Sequence, residues 1–240
     1  MKIAEKIYLL SGMSYGLLGN VYGIVHRDGL LLVDCGRPHE AIPMIERNLR
    51  VWGLEKLPVT ALLVTHGHPD HCGNGFYFQQ QGATVVAGQK DADQILRLGD
   101  YDPVIFPCVL HDFEEDCLFE PYEVDIKVES DIHLSICEYD IEVLTTPGHT
   151  QGSVVYIITI KNKKYFFTGD TLSAEGSRAH VPVLGTAASV DYCAQSYISS
   201  MQKLLNRYPD AILGGHGIPR LVSSNAFVAQ ACMKAMKERS

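Results

Sequence analysis

Clustered positive charge is missing from this chain of 240 residues: 20 Lys and Arg stand against 28 Asp and Glu, the formal net charge is -8, and no Lys/Arg run occurs. Nucleic acids and anionic membranes both select clustered positive charge, so neither is expected as a partner. Long apolar runs are missing as well. The stretch "SVVYIITI" at 153–160 is among the longest, far short of the roughly 20 residues that span a bilayer. The opening "MKIAEKIYLL" alternates polar and apolar residues and lacks the apolar block and cleavage site of a secretory signal. It reads as a first strand, and a cytoplasmic location is expected. The seven cysteines (35, 72, 108, 117, 137, 193 and 232) include no C-x-x-C pair. An odd, scattered set suits reduced thiols better than a disulfide framework. Cys35 and Cys72 sit beside chemically interesting residues but carry no motif of their own, and no role is assigned to them.

What is present is an ordinary globular composition, 46% hydrophobic and 20% charged, without a long linker or low-complexity segment. The expectation is one domain over residues 1–240, built of two pseudo-symmetric halves at about 1–120 and 121–240. Short apolar runs punctuated by Gly, Pro, Asn and Asp read as strands, and helical patterns follow several of them. "GIVHRDGLLLVDCG" predicts two strands around Arg27-Asp28-Gly29, and "HEAIPMIERNLRVWGL" a helix with Ile42, Ile45, Leu49 and Trp52 on one face. "VTALLVTHGHPDHCGNGFYFQQQGATVVAG" predicts strand, loop, helix, strand. Residues 98–122 lose periodicity and read as an irregular excursion, a candidate pocket cap or contact with a second copy of the chain. Beyond it strands dominate, with a hairpin turn at Asn162-Lys163. A helix is expected around 191–207, a last strand in "DAILGGHG", and a closing helix in "SSNAFVAQACMKAMKERS".

One feature recurs: an apolar strand that ends in a small-residue turn bearing His or Asp. It appears in "LLLVDCG" (Asp34), "ALLVTHGHPDH" (His66, His68, Asp70, His71), "IEVLTTPGHT" (His149), "YFFTGDT" (Asp170) and "AILGGHG" (His216). Strand ends in layered α/β folds gather functional groups, because rigid strands fix positions and loops supply chemistry. With 10 His in 240 residues, the pattern H-x-H-x-D-H should arise by accident in roughly one such chain in a thousand. Imidazole and carboxylate are the donors that hold borderline divalent metals at neutral pH. His66 and His68, two apart on an extended segment, project to one side. Asp70 and His71 fall on the turn into the next helix and point elsewhere. Two pairs, each needing further ligands, imply two ions, with His149, Asp170 and His216 as the remaining candidates. A carboxylate can bridge two ions and an imidazole cannot, which makes Asp170 the natural bridge.

Asp34, His66-x-His68-x-Asp70-His71, His149 in "TPGHTQGS", Asp170 in "TGDTL" and His216 in "GGHG" resemble the five ordered motifs of the metallo-β-lactamase superfamily, over residues from about 3 to 220. The resemblance implies an αββα sandwich, two sheets face to face with helices outside and the site at one edge. It implies that His66, His68 and His149 hold one metal, that Asp70, His71 and His216 hold a second, and that Asp170 bridges them. Asp34 would orient a metal-bound His by hydrogen bonding. Zinc suits five His and two Asp best, and iron or manganese also suits a bridging carboxylate. A hydroxide shared by two ions would attack the carbonyl of an ester, thioester or lactone in a small-molecule substrate, with Asp70 orienting it.

Departures from subfamily patterns narrow the choice. Asp170 argues against a true β-lactamase. Ser173 stands where quorum-quenching lactonases resembling this arrangement carry a tyrosine. "GDTLSAEGSRAHVP" lacks the pattern of glyoxalase II-like thioesterases, and the chain ends about 24 residues after His216, which argues against a glutathione thioester. Arg178 and His180 follow Asp170 on a loop bordering the site and are candidate substrate contacts. His26, His39, His111 and His133 have no partner pattern and are assigned ordinary roles. The alternatives are iron-dependent sulfur or oxygen chemistry of the persulfide dioxygenase kind, phosphodiester hydrolysis, and an idle metal-binding module.

Overall fold

The structure, a computed structural model, describes residues 1–11, 18–97, 119–176, 179–187, 189, 191–222 and 224–239. Most of the excursion, 98–118, and Arg178 lie outside the described residues.

The first sheet contains β1 (Ile7–Leu9), β2 (Tyr22–His26), β3 (Gly29–Val33), β4 (Val59–Leu63), β5 (Thr84–Gly88) and β6 (Ile126–Val128), in that spatial order. β1, β2 and β3 are antiparallel neighbours, and His26 pairs with Gly29, so two residues make the turn. From β3 to β6 the strands run parallel. Parallel neighbours need crossovers, and helices supply them: α1 (Ala41–Trp52) between β3 and β4, α2 (Pro69–Cys72) and α3 (Gly75–Gln80) between β4 and β5, and α4 (Gln89–Arg97) after β5. α1 ends at Gly53, whose left-handed φ of 66° lets its N–H reach back to the last turn.

The second sheet has the order β13 (Ala211–Gly214), β10 (Lys163–Gly169), β9 (Val154–Ile160), β8 (Tyr139–Thr145), β7 (Ile132–Ile136). A short ribbon of β11 (Ser173–Glu175) and β12 (Val181–Val183) precedes α5 (Ala194–Leu205), and α6 (Ser224–Arg239) closes the chain.

Strand alternation sorts the side chains into layers. Leu31, Val33, Ala61, Leu63 and Val86 meet Ile141, Val143, Tyr156, Ile158 and Phe167 in a core between the sheets. The alternate residues Leu30, Leu32, Leu62 and Val85 pack outward on Ile45, Leu49, Phe78 and Ile95 of the helices. On the second sheet Leu144, Val155, Ile157, Phe166 and Ile212 pack on Tyr197, Met201, Leu204, Phe227 and Val228. This is the four-layer αββα sandwich. Tyr156 crosses the central core and donates its hydroxyl to Val64 O at 2.8 Å and Val86 O at 3.1 Å, pinning β9 to the first sheet beside the site.

Two local expectations are corrected. The first strand covers only Ile7–Leu9, because Lys2 folds back to bridge Tyr8. The second-sheet hairpin turns at Lys161 (φ 51°) and Asn162 (φ 61°), one residue earlier than expected, since Lys163 pairs with Ile160. Positive φ at both central residues matches the strand twist. Trp52 shares the α1 face but is 39% exposed, its ring tilted over Tyr8 at 5.4 Å. The first sheet ends at Val128 and the second begins at Ile132. Among the described residues no helix is long and apolar enough to cross a membrane.

β8 is antiparallel to β9, β9 to β10, and β10 is parallel to β13. The C-terminal ends of β8, β10 and β13 therefore share one edge, and their loops meet the ends of β3 and β4 there.

Candidate metal centre

Proline organises the histidine loop. Pro69 occupies the first turn of α2, where a fixed φ and a missing N–H cost nothing. Ahead of it His68 is held extended (φ -72°, ψ 144°), as a residue before proline prefers. The chain thus presents His66 and His68 from an extended segment and Asp70 and His71 from a helix. All four are buried.

His66, His68 and His149 converge in one group. His68 Nδ1 lies 3.1 Å from His66 Nε2 and 3.2 Å from His149 Nε2. A tetrahedral ion with nitrogens about 2.0–2.1 Å away sets them about 3.3 Å from one another, so this spacing fits a common ion. Asp70, His71 and His216 form a second group, with His216 Nε2 3.2 Å from Asp70 Oδ2 and 3.3 Å from His71 Nε2. Asp170 stands between them. Its Oδ2 is 3.6 Å from His149 Nε2 and 3.4 Å from His216 Nε2, and its Oδ1 is 3.5 Å from His71 Nε2.

The outward ring nitrogens are held from behind. His71 Nδ1 donates to Asp34 Oδ2 at 2.8 Å, and His149 Nδ1 donates to Thr186 O at 3.0 Å. Both bonds leave a lone pair on Nε2, aimed inward, in the neutral ring. His68 Nε2 lies 2.8 Å from Ser189 Oγ, and His66 Nδ1 lies 3.1 Å from Thr65 Oγ1. Asp34 itself accepts from the Thr65 N–H at 2.7 Å and the Thr65 hydroxyl at 2.9 Å.

Charge tells the same story. Burial pulls His66, His68 and His149 down, His68 to about 3, so these rings are neutral donors. Burial would also lower His71 and His216, but Asp70 and Asp170 override it; His71 rises well above its usual value and His216 to about 10. Burial alone would raise Asp70 and Asp170, yet these imidazoles hold both carboxyls below the usual range. The carboxylates recruit protons onto neighbouring rings, which marks a cluster short of positive charge. Asp170 Oδ1 is buried with no hydrogen-bond partner among the described residues, and a divalent cation would satisfy it. The donor set fits such an ion.

The site's floor is glycine. A methyl group on Gly215 would meet Asp170 Oδ1 and lie 2.6 Å from His71 Cε1, so no larger residue fits without moving both.

His180 is exposed, its ring over Gly176, and no contact with the seven clustered side chains is recorded for it. Cys35 and Cys72 are buried thiols whose acidity burial suppresses; they donate to His71 O at 3.2 Å and Gly67 O at 3.3 Å, bracing the loop. Tyr122, at the end of the excursion, donates to Cys72 O at 2.8 Å. Sequence reasoning missed Thr65, Thr186 and Ser189, which hold the outward ring nitrogens. It also missed Asp91, a buried carboxylate on α4 that accepts hydrogen bonds from the histidine loop and from the His149 loop. The only sequence signal for Asp91 is an acidic residue in a helix first turn, where solvent usually faces it.

With this geometry in view, the comparisons with known proteins agree. A family model described as the metallo-beta-lactamase superfamily matches residues 14–216. Beta-lactamase-like protein 2 homolog of Drosophila melanogaster is 27% identical over 199 residues, 82% of this chain and 58% of that protein. Hydroxyacylglutathione hydrolase GloC of Haemophilus influenzae is 30% identical over 166 residues, 67% of this chain and 70% of that one. The chain thus spans less than two thirds of the Drosophila relative. A metallo-beta-lactamase of Cronobacter sakazakii shares the fold with a TM-score of 0.73 at 17% identity, over 99% of this chain and 96% of that one. The match runs from β2 to β13 and takes in every loop that brings the seven side chains together, and the chain belongs to the metallo-beta-lactamase superfamily.

Proposed function

We propose that this chain is a metal-dependent hydrolase that holds two divalent ions, zinc by donor type, and cleaves a thioester or ester at its acyl carbonyl. The observation that carries the reading is the position of Asp170 between two converging triads, with contacts of 3.4 to 3.6 Å into both. His66, His68 and His149 would hold one ion, Asp70, His71 and His216 the other, and Asp170 would serve both. Bound there, such ions supply Lewis acidity that brings the pKa of a water toward neutrality and offsets charge developing on the carbonyl oxygen.

The chain's own residues do the rest. Asp70, kept ionised by His71 and His216, can accept a hydrogen bond from the attacking water and orient it. Asp34 and Thr186 keep the His71 and His149 lone pairs pointed inward. Burial of His66, His68, Asp70, His71 and His149, five of the seven groups, keeps bulk water from competing. Ser173 is buried, and its hydroxyl accepts the His216 N–H at 3.2 Å, so it offers no hydroxyl to a lactone as the tyrosine at that place would. The relatives described as hydroxyacylglutathione hydrolases support the thioester within the carbonyl class. A small-molecule substrate and a cytoplasmic location belong to the same proposal.

The test is turnover of a panel of chromogenic thioesters, esters, lactones, phosphodiesters and β-lactams, before and after chelation. Thioester or ester cleavage that chelation abolishes and zinc restores is the expected result. Turnover confined to phosphodiesters, or oxygen uptake with an iron-loaded protein and no hydrolysis, contradicts the proposal.

A further inference from the structure

The two loops that build the first triad come from opposite sheets, and nothing in the motifs says what sets their distance. Asp91 lies where they meet. It is fully buried in the first turn of α4, and all its recorded hydrogen bonds go to those loops. Oδ2 accepts the Gly67 N–H at 2.7 Å, from between His66 and His68. The same oxygen accepts the Thr150 hydroxyl at 2.7 Å, from the residue after His149. Oδ1 accepts the Gly152 N–H at 2.8 Å. The seat is tight on both sides. A methyl group on Gly67 would lie 3.2 Å from Asp91 Cβ, and one on Gly152 would run into Asp91 Oδ1 and its backbone nitrogen. No recorded salt bridge joins Asp91 to a cation among the described residues.

We propose that Asp91 is the positioning residue of the first metal position: its carboxylate clamps the His66/His68 loop to the His149 loop and thereby fixes the spacing of their three ligand nitrogens. The clamp does not reach the other group, because Asp70 and His71 are set by α2, and His216 by the β13 loop. Hydrogen bonds there include those from Asn20 Nδ2 and Tyr22 Oη to Gly214 O, at 3.0 and 2.8 Å, and from the His216 N–H to Ser173 Oγ at 3.2 Å. The proposal rests on the two-ion reading above, and it makes a claim that reading does not: the effect of Asp91 is confined to one ion.

The experiment measures zinc affinity by competition with a chromophoric chelator in two backgrounds. His216→Ala leaves the His66/His68/His149 position to be read alone, and His149→Ala leaves the Asp70/His71/His216 position. Asp91→Asn retains one accepting oxygen, so it cannot satisfy all three donors; Asp91→Ala satisfies none. In the His216→Ala background zinc affinity should fall on the order of tenfold for Asn and a hundredfold for Ala. In the His149→Ala background it should not change. Cobalt substituted at the first position should show a shifted visible absorption band in the same variants, a change of ligand geometry that loss of stability alone does not produce. Equal weakening at both positions, or unchanged affinity at the first with a folded protein, overturns the proposal. If the Asp91 variants do not fold, Thr150→Val removes one arm of the clamp at a smaller cost. Selective weakening there supports the proposal and unchanged affinity overturns it. The two single-background proteins test the two-ion reading separately, because each should bind one zinc whatever Asp91 does.

Discussion

Asp34→Asn separates the orientation of His71 from the folding of the site. Asp34 is buried and left-handed, with φ 58°, a conformation that Asn tolerates as well as Asp. Oδ1 accepts the Thr65 N–H, and Oδ2 accepts the Thr65 hydroxyl and the His71 Nδ1–H. An asparagine oxygen can keep the Thr65 N–H bond, and the Thr65 hydroxyl can rotate to accept from the new amide. The His71 bond cannot survive with its present direction, because an amide NH2 would face an imidazole N–H. The ring must then carry its proton on Nε2, which points at His216, Asp70 and Asp170, and it ceases to be a donor to an ion. The hydrogen bond lost is charge-assisted, worth about 1.5–3 kcal/mol, and at about 1.4 kcal/mol per tenfold zinc affinity at the second position should fall roughly ten- to a hundredfold. Stability should fall by about 1 kcal/mol, one ordinary hydrogen bond. Chelator competition reads the affinity, and nitrogen-15 NMR of the imidazoles reads the tautomer. A folded Asp34→Asn protein with unchanged affinity and the proton still on His71 Nδ1 would show that Asp34 does not set the His71 tautomer.

Three further outcomes follow from the same geometry. Asp170→Ala should lose metal at both positions, measured as metal content after dialysis; two tightly retained ions would show that Asp170 does not serve both. Gly215→Ala should lose the second-position ion and cost about 1–3 kcal/mol through overpacking, because the added methyl displaces Asp170 and His71; metal content and thermal melting check it. Stripped of metal, the protein should be most stable near about pH 6. His66, His68 and His149 are lowered below the ordinary 6.5, so their contribution is lost as pH falls and the unfolded chain takes up more protons. His71 and His216 are raised, so theirs is complete below the unfolded value and lost as pH rises toward about 10, the folded value of His216. A melting temperature that climbs steadily from about pH 6 to about pH 9 would contradict this sign.

The seven clustered side chains were legible because chemistry-bearing residues punctuate apolar strands, and parallel strands put their ends on one edge. The layers were legible for a related reason. Alternation in "LLLV" and "VVYIITI" assigns neighbouring residues to opposite faces, and both faces proved buried. What sequence hid is held by long-range geometry. Asp91 contacts residues 24 and 59 positions away along the chain, and Ser189 reaches His68 across 121; nothing local marks either as different from a solvated polar residue. The turn falls at Lys161-Asn162, not Asn162-Lys163, because register, fixed by Lys163 pairing with Ile160, decides which residues must take positive φ. β12 escaped notice because three residues around a proline carry no periodicity.

In the proposed site one shared carboxylate and two triads hold two ions, and metal content is the decisive measurement. Protein purified without chelators, equilibrated with zinc, dialysed and analysed by plasma mass spectrometry should contain about two zinc per chain. About one ion per chain at saturation, or a single tightly held iron that zinc does not displace, would contradict it.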